Sequence, residues 1–331
     1  MLRPDVKYLI LAITSRCNLR CRYCYMSAEE SGQDMSDQIL DKALDFADQG
    51  QSCHVQVTGG EPALLPDKLV HIGERCSRMS HRPTLAVQTN GTMLTKELVQ
   101  AFKTHDFQIG VSLDGSPKVH DYQRGSADET LRGLKILEEY AVPFQVTTVV
   151  TRHNVADLGR LALLLAGLRN CQGLGLDLLV SKGRAETQSV QPASAAQLRQ
   201  GISQLSEALT MINNSRRQPL RLREQSLLSR SGCSPHFCRA ATGQSLAVRP
   251  DGRLYPCGQT MGDPVFSCGT VEEPKTLLSK PLSSSRLQHG ACADCQLKDC
   301  CPDDCPGRLH YNTENKELAC VLYQSLNERV V

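Results

Sequence analysis

Short apolar runs, rich in β-branched residues, alternate through the first half of the chain with longer amphipathic stretches. The runs at 8–13, 54–58, 84–88, 108–113, 144–150 and 174–180 predict strands. Between them, apolar positions recur at helical spacing near 36–49, 67–79, 96–104, 128–140 and 155–168. Ser36 stands where a helix cap belongs, and Gly50 marks a stop for the first helix. Strands alternating with helices imply parallel βαβ units with right-handed crossovers. Six such strands make an α/β fold of open, partial (β/α)6 barrel type rather than a closed barrel of eight. Ligands in such sheets bind beyond the carboxyl ends of the strands.

Beyond the last strand the pattern changes. Residues 182–192 read as a linker, 193–213 as a helix and 216–231 as a basic connector. From Gly232 onward Cys, Pro and Gly dominate and the periodicity fades. The chain is thereby divided into a barrel at 1–185, a helical linker at 186–231 and a cysteine-rich segment at 232–331, whose fold is expected to depend on bound metal.

Composition narrows the possibilities. The 331 residues are 40% hydrophobic, enough for one large core or two smaller ones. A net charge of +2 gives no reason to expect nucleic acid or an anionic membrane as partner, and 4% aromatic residues without Trp give no base-stacking surface. No apolar run approaches the ~20 residues of a membrane span. The N-terminus lacks the layout of a signal peptide. A cysteine-rich chain without export belongs in a reducing cytoplasm, where its thiols bind metal rather than form disulfides.

The sixteen cysteines fall into two groups. Near the N-terminus stands Cys17-x3-Cys21-x2-Cys24; near the C-terminus come Cys233, Cys238, Cys257, then Cys292-x2-Cys295-x5-Cys301-x3-Cys305, and finally Cys320. Closely spaced thiolates select iron–sulfur clusters or zinc. Three ligands leave one iron of a four-iron cluster open, whereas eight complete two more clusters. That count points to electron-driven chemistry. Cys53, Cys76 and Cys171 read as core thiols. Cys268 is a candidate for hydrogen donation or substrate contact, and His236 for an alternative ligand.

Cys17-x3-Cys21-x2-Cys24, with Tyr23 in its last gap, resembles the cluster loop of radical S-adenosylmethionine (SAM) enzymes. The resemblance extends to Thr58-Gly59-Gly60-Glu61-Pro62, about 35 residues after the loop, to Gln88-Thr89-Asn90-Gly91-Thr92 and to Val111-Ser112-Leu113-Asp114-Gly115. It implies a four-iron cluster on Cys17, Cys21 and Cys24 whose open iron chelates SAM. One electron, from reduced flavodoxin or ferredoxin, then yields a 5′-deoxyadenosyl radical that removes a substrate hydrogen. Tyr23, Gly59, Gly60, Glu61, Ser112 and Arg124 are the implied SAM contacts, with free backbone groups at Gly59 and Gly60 and with Glu61 accepting from the SAM ammonium. Asn90 and Asp114 are weaker candidates; Leu178 or Leu179 is a candidate to pack on adenine.

The C-terminal spacing Cys238-x13-Gly252-x4-Cys257, followed by Cys292-x2-Cys295-x5-Cys301-x3-Cys305 and Cys320, is similar to the seven-cysteine signature of the SPASM domain. That resemblance implies two auxiliary clusters, one on Cys233, Cys238, Cys257 and Cys305 and one on Cys292, Cys295, Cys301 and Cys320, three [4Fe-4S] clusters in all. Cys300 beside Cys301 leaves that ligand open. SPASM enzymes that mature sulfatases place a basic Asp directly after the Tyr-Pro-Cys turn, but here Tyr255-Pro256-Cys257 is followed by Gly258, which disfavours that reaction. The function expected is therefore an oxidoreductase- or lyase-type maturase of a ribosomally made precursor peptide, making a cross-link, excision or epimerisation. A radical SAM enzyme acting on a tetrapyrrole or other small cofactor precursor is the alternative. The first strand begins at about residue 7, leaving no room for a winged-helix leader-binding domain before it. The leader would then be held by the barrel itself or by a separate small protein.

Overall fold

The strands carry their apolar residues on alternate positions, and those residues face outward. In the computed structural model, which describes residues 5–229, 237–275, 282, 292, 294–312 and 314–328, Leu9 and Leu11, Val55 and Val57, Leu85 and Val87, Ile109 and Val111, Phe144 and Val146 are all buried in one core cluster. The period of two places the intervening residues, such as Gln56 and Gln145, on the concave face.

Chain order gives β1 (Tyr8–Ala12), α1 (Asp37–Leu44), β2 (His54–Thr58), α2 (Pro66–Ser77), β3 (Thr84–Thr89), α3 (Lys96–Thr104), β4 (Phe107–Ser112), α4 (Pro117–Gln123), α5 (Ala127–Glu139), β5 (Phe144–Val150), α6 (Leu158–Ala166) and β6 (Cys171–Leu178). These six strands lie side by side in parallel, β1 to β6 in sequence order, as the partial barrel requires. Ser36 caps α1 as expected, and Thr95 plays the same part for α3. Ile39 N donates to Ser36 Oγ ahead of α1, and Leu98 N donates to Thr95 Oγ1 ahead of α3. The first helix stops earlier than Gly50. After Leu44 the hydrogen bonds tighten to three-residue spacing, Phe46 N to Ala43 O and Ala47 N to Leu44 O.

The segments read as linkers are partly ordered. They hold α7 (Arg184–Thr187), α8 (Ala195–Ser215), β7 (Arg221–Leu222) and α9 (Arg223–Leu228). A capping box between Ser194 and Gln197 starts α8. β7 pairs with β6 and lengthens the sheet at that edge.

At the other edge the cysteine-rich segment contributes β8 (Ser245–Val248) and β9 (Leu254–Tyr255). β8 runs parallel to β1, and β9 returns antiparallel to it. Leu246, Val248 and Leu254 join the core of the barrel, as do Leu318, Val321, Leu322 and Leu326 near the C-terminus. The short α10 (Pro306–Tyr311) precedes α11 (Leu318–Asn327), which packs on α8 and α9. Cys53, Cys76, Cys171 and Cys268 are all buried in this core. Cys268 is therefore a packing residue, its Sγ against Phe266 O at 3.4 Å, and not a substrate-facing hydrogen donor. His236 and Cys233 lie outside the described residues. No helix among the described residues is long and apolar enough to cross a membrane.

Candidate active site

The cysteine loop leaves the carboxyl end of β1 and is held from three sides. Thr14 Oγ1 donates to Asp34 at 2.6 Å, and the Arg16 guanidinium clamps the same carboxylate at 2.9 and 2.6 Å. Hydrogen bonding to Arg16 holds the Asp34 carboxyl below its ordinary range. From the second side, Gly60 N donates to Thr14 O and Glu61 N to Arg16 O, both at 2.8 Å. A Cβ on Gly59 would run into Thr14 O, and one on Gly60 into Arg16 O, so this turn needs glycine to approach the loop. From the third side, Arg184 donates to Cys21 O at 2.9 Å and Ala28 O at 2.7 Å, while its backbone N–H meets Cys24 O at 3.0 Å.

Around this loop opens a cavity of ≈ 280 Å³ at the carboxyl end of the sheet. Cys17, Cys21 and Cys24 line it together with Tyr23, Gly59, Gly60, Glu61, Asn90, Ser112 and Arg124, whereas Asp114 and Leu179, also offered as candidates, stand outside the lining. The Gly60 N–H is not free, because Thr14 O accepts it. The Glu61 carboxylate, 1% exposed, already accepts from Ala63 N at 2.9 Å, Thr89 Oγ1 at 2.6 Å and Asn90 N at 2.6 Å. It ties the end of β2 to the end of β3, and a carboxylate with roughly four acceptor positions retains about one for a ligand. Burial nonetheless raises its affinity for a proton.

Asp114 proves to be the hub behind the wall. Its carboxylate accepts from Tyr23 Oη, from Arg124 Nε at 2.8 Å, from Thr148 Oγ1 at 3.2 Å and from Val149 N at 3.0 Å. Its own N–H donates to His120 Nδ1 at 3.2 Å. Leu178 reaches the cavity, whereas Leu179 packs on Tyr23 and Ala185 beneath it.

The cavity also contains residues that sequence reading missed. Arg184, from the presumed linker, leaves Nη2 buried without a hydrogen-bond partner among the described residues. Gln259 enters from the short turn after Cys257, and Asp177 with Arg223 closes the β6 side. No local signal marks Arg184 or Gln259; both arrive by packing over long stretches of chain.

The donor set fits an iron–sulfur cluster with a charged ligand. Burial pushes the Cys17 thiol up to about 12 and raises Cys21, which Arg124 counteracts, so thiolates here need a cation to form. Among the described residues no three His, Cys, Asp or Glu side chains converge as ligands of a single metal ion; cluster thiolates bind separate irons. The unpartnered Arg184 Nη2 is a donor awaiting an anionic or carbonyl group.

The C-terminal thiols form two gatherings. Cys238 and Cys257 pack against one apolar cluster, and Cys305 reaches the turn after Cys257, its Sγ donating to Gln259 Oε1 at 3.3 Å; burial above all raises the Cys305 thiol well above its ordinary value, and Cys233 lies outside the described residues. Cys292, Cys295, Cys301 and Cys320 line a second cavity of ≈ 150 Å³ with Leu297, Ala319 and Tyr323. Cys300 is not in that lining. Between the two sets the buried Arg308 is fastened to Asp304, with Nε at 2.9 and 3.0 Å from its oxygens.

Comparison with known proteins agrees with this geometry. Residues 11–165 match the family model for the radical SAM superfamily, so the chain carries a radical SAM domain. A serine-type anaerobic sulfatase-maturating enzyme of Klebsiella aerogenes is 25% identical, over 95% of this chain and 83% of that enzyme. An AdoMet-dependent heme synthase of Methanosarcina barkeri is 24% identical, over 87% of this chain and 88% of that protein. Among solved structures, anSMEcpe with bound AdoMet superposes with a TM-score of 0.77 at 19% identity, covering 98% of this chain and 96% of that one. Streptococcus suis SuiB bound to the precursor peptide SuiA gives 0.66 at 16% identity, covering 94% and 74%. At these identities the structural likenesses speak to fold.

Proposed function

We propose, on the premise that residues 11–165 form a radical SAM domain, that this protein is a radical SAM maturase of a ribosomally made precursor peptide. The observation that carries the reading is the one cavity shared by Cys17, Cys21 and Cys24, the Gly59–Gly60–Glu61 turn, Arg124 and Gln259. A site walled by both the barrel and the C-terminal turn holds SAM and substrate side by side, as proximity catalysis demands. Bound there, a four-iron cluster and SAM would supply, on one-electron reduction by flavodoxin or ferredoxin, the 5′-deoxyadenosyl radical that removes a substrate hydrogen.

The chain's own residues do the positioning. Asp114 locks the Arg124 guanidinium, which in turn approaches Cys21 Sγ at 3.8 Å and keeps a positive charge beside the thiolate. Glu61 directs its remaining acceptor position toward an ammonium. Arg184 Nη2 offers a donor to a carboxylate or carbonyl. Cys238, Cys257 and Cys305, with Cys233, would hold one auxiliary cluster, and Cys292, Cys295, Cys301 and Cys320 the other.

Sulfatase maturation of the type seen in the Klebsiella relative is disfavoured, since Gly258 has no side chain to take a proton and the neighbouring Gln259 is not a base. A separate leader-binding protein completes the proposal on the substrate side. The heme-synthase relative favours one second reading, action on a tetrapyrrole. Anaerobic coexpression with the small reading frames adjoining the gene, followed by mass spectrometry of those peptides, tests the choice. A mass change in one peptide that requires Cys17, Cys21 and Cys24 is expected. Unchanged peptides beside turnover of an added tetrapyrrole would overturn the peptide reading.

A further inference from the structure

Gln259 faces two sites at once. Its side chain lines the SAM cavity, and its Oε1 accepts from Cys305 Sγ at 3.3 Å. Two features hold it there. A Cβ on Gly307 would stand 2.6 Å from Oε1 and 3.5 Å from Cδ, so the amide occupies space that only a glycine at the start of α10 leaves open. From the barrel, Lys182 just beyond β6 reaches across to the turn that carries Gln259. Its Nζ donates to Gln259 O at 2.7 Å and to Met261 O at 2.9 Å, and lies 5.0 Å from the centre of the Tyr311 ring. Tyr311 is itself fixed, its hydroxyl donating to Asp263 at 2.8 Å. Barrel, turn and α10 therefore meet at one amide.

The contact with Cys305 is that of a thiol, in which the sulfur donates. A sulfur bound to iron has lost its proton and only accepts. A primary amide can meet that change, because Nε2 donates where Oε1 accepts and a half-turn of the amide exchanges the two. Hydrogen bonds to the sulfurs are among the factors that set the potential of an iron–sulfur cluster. A donor stabilises the reduced, more negative cluster more than the oxidised one, and so raises that potential.

We propose that Gln259 is a positioning residue for the first C-terminal cluster, its Nε2–H donating to the Cys305 sulfur and raising the potential at which that cluster takes up an electron. The proposal rests on the assignment of Cys238, Cys257 and Cys305, with Cys233, to one cluster, and it holds whatever the substrate is. Gly307 supplies the room for the amide, and Lys182 holds the turn beneath it.

The test is an equilibrium redox titration of the full chain, reconstituted without oxygen and followed by electron paramagnetic resonance, with iron counted in each sample. Gln259→Met keeps the bulk and removes the donor, whereas Gln259→Glu puts an anion in its place. Gly307→Ala leaves Gln259 in the chain and displaces only its amide. In Gln259→Met the reduction equilibrium of one cluster should shift about tenfold toward the oxidised form, the worth of one hydrogen bond to a charged group, or about 59 mV for one electron. Gly307→Ala should shift the same cluster in the same direction and Gln259→Glu should shift it further, while the other clusters keep their potentials. A merely structural role would not rank the variants in this order. Unmoved potentials in Gln259→Met would overturn the proposal and leave the cluster assignment standing. Equal shifts in every cluster would overturn it as well. Iron content unchanged by Cys305→Ala would overturn the cluster assignment itself, and the proposal with it. Should Gln259→Met lose iron, Gly307→Ala decides by the same titration.

Discussion

Arg124 Nε donates to Asp114 Oδ2 at 2.8 Å, and Asp114 is completely buried. The same carboxylate takes the Tyr23 hydroxyl, so one side chain just beyond β4 holds a cation and an aromatic ring together against the cysteine loop, the guanidinium 5.1 Å from the centre of the Tyr23 ring. Removing one partner of a buried ion pair strands the other charge and costs about 3–5 kcal/mol. Asp114→Ala is expected to lower stability by that amount in denaturant unfolding and to weaken SAM binding in calorimetry. An unchanged unfolding midpoint would show that Arg124 finds another partner.

His120 links this hub to pH. Its Nδ1 accepts from Asp114 N, and burial above all depresses the imidazole from its usual 6.5 to about 4. The unfolded chain therefore binds more protons between those values, and stability rises with pH across that window. Read downward, stability is complete above about 6.5 and is lost progressively as pH falls toward about 4, by roughly 3 kcal/mol at about 1.4 kcal/mol per unit. His120→Asn, which keeps an acceptor for Asp114 N, should flatten this acid limb in urea titrations at a series of pH values.

Iron content separates the cysteine sets. Reconstituted protein should hold about twelve irons, four for each of three clusters. The Cys17/Cys21/Cys24→Ala variant should keep about eight and form no 5′-deoxyadenosine. Product from that variant would place SAM cleavage elsewhere in the chain.

Cys301 lines the second C-terminal cavity with Cys292, Cys295 and Cys320, while Cys300 does not. Cys301→Ala is expected to lose about four irons and Cys300→Ala none, as measured by iron assay and electron paramagnetic resonance. The reverse result would exchange the two roles.

Arg308 is 1% exposed and bound to Asp304, whose Oδ1 also accepts the Cys305 N–H at 2.7 Å. Arg308→Met should leave a buried, unpaired Asp304, cost about 3–5 kcal/mol and release iron from the C-terminal sets first. The isosteric pair Arg308→Met/Asp304→Leu should recover much of the stability, which a double-mutant cycle would quantify.

Much of this architecture was legible in the residues themselves. The period-two runs located β2 and β5 to the residue and the other barrel strands to within a few residues, because alternation of outward apolar side chains is a local property of each strand. The glycines at 59 and 60 stood out for a reason that packing then supplied, the close pass of the turn beneath Thr14 and Arg16. Glu61, expected from its motif to accept from the SAM ammonium, lines the cavity. Its three internal hydrogen bonds were invisible, since Thr89 and Asn90 reach it only when β2 and β3 lie side by side.

What the sequence by itself determined, then, are features written over short spans: strand and helix periodicity, capping by Ser36, and the spacing of the thiols within each group. Tertiary structure alone decided the rest. It carried β8 to the free edge of β1, about 230 residues along the chain, where an unpaired strand edge would otherwise leave its N–H and C=O groups without partners. It brought Arg184 to Cys21 and Gln259 to the mouth of the SAM cavity, and it turned Asp114 from the end of a strand into the anchor of Arg124 and Tyr23. A backbone's local preferences cannot encode contacts between distant segments; these form only when burial of the shared apolar face fixes how the barrel and the C-terminal strands meet.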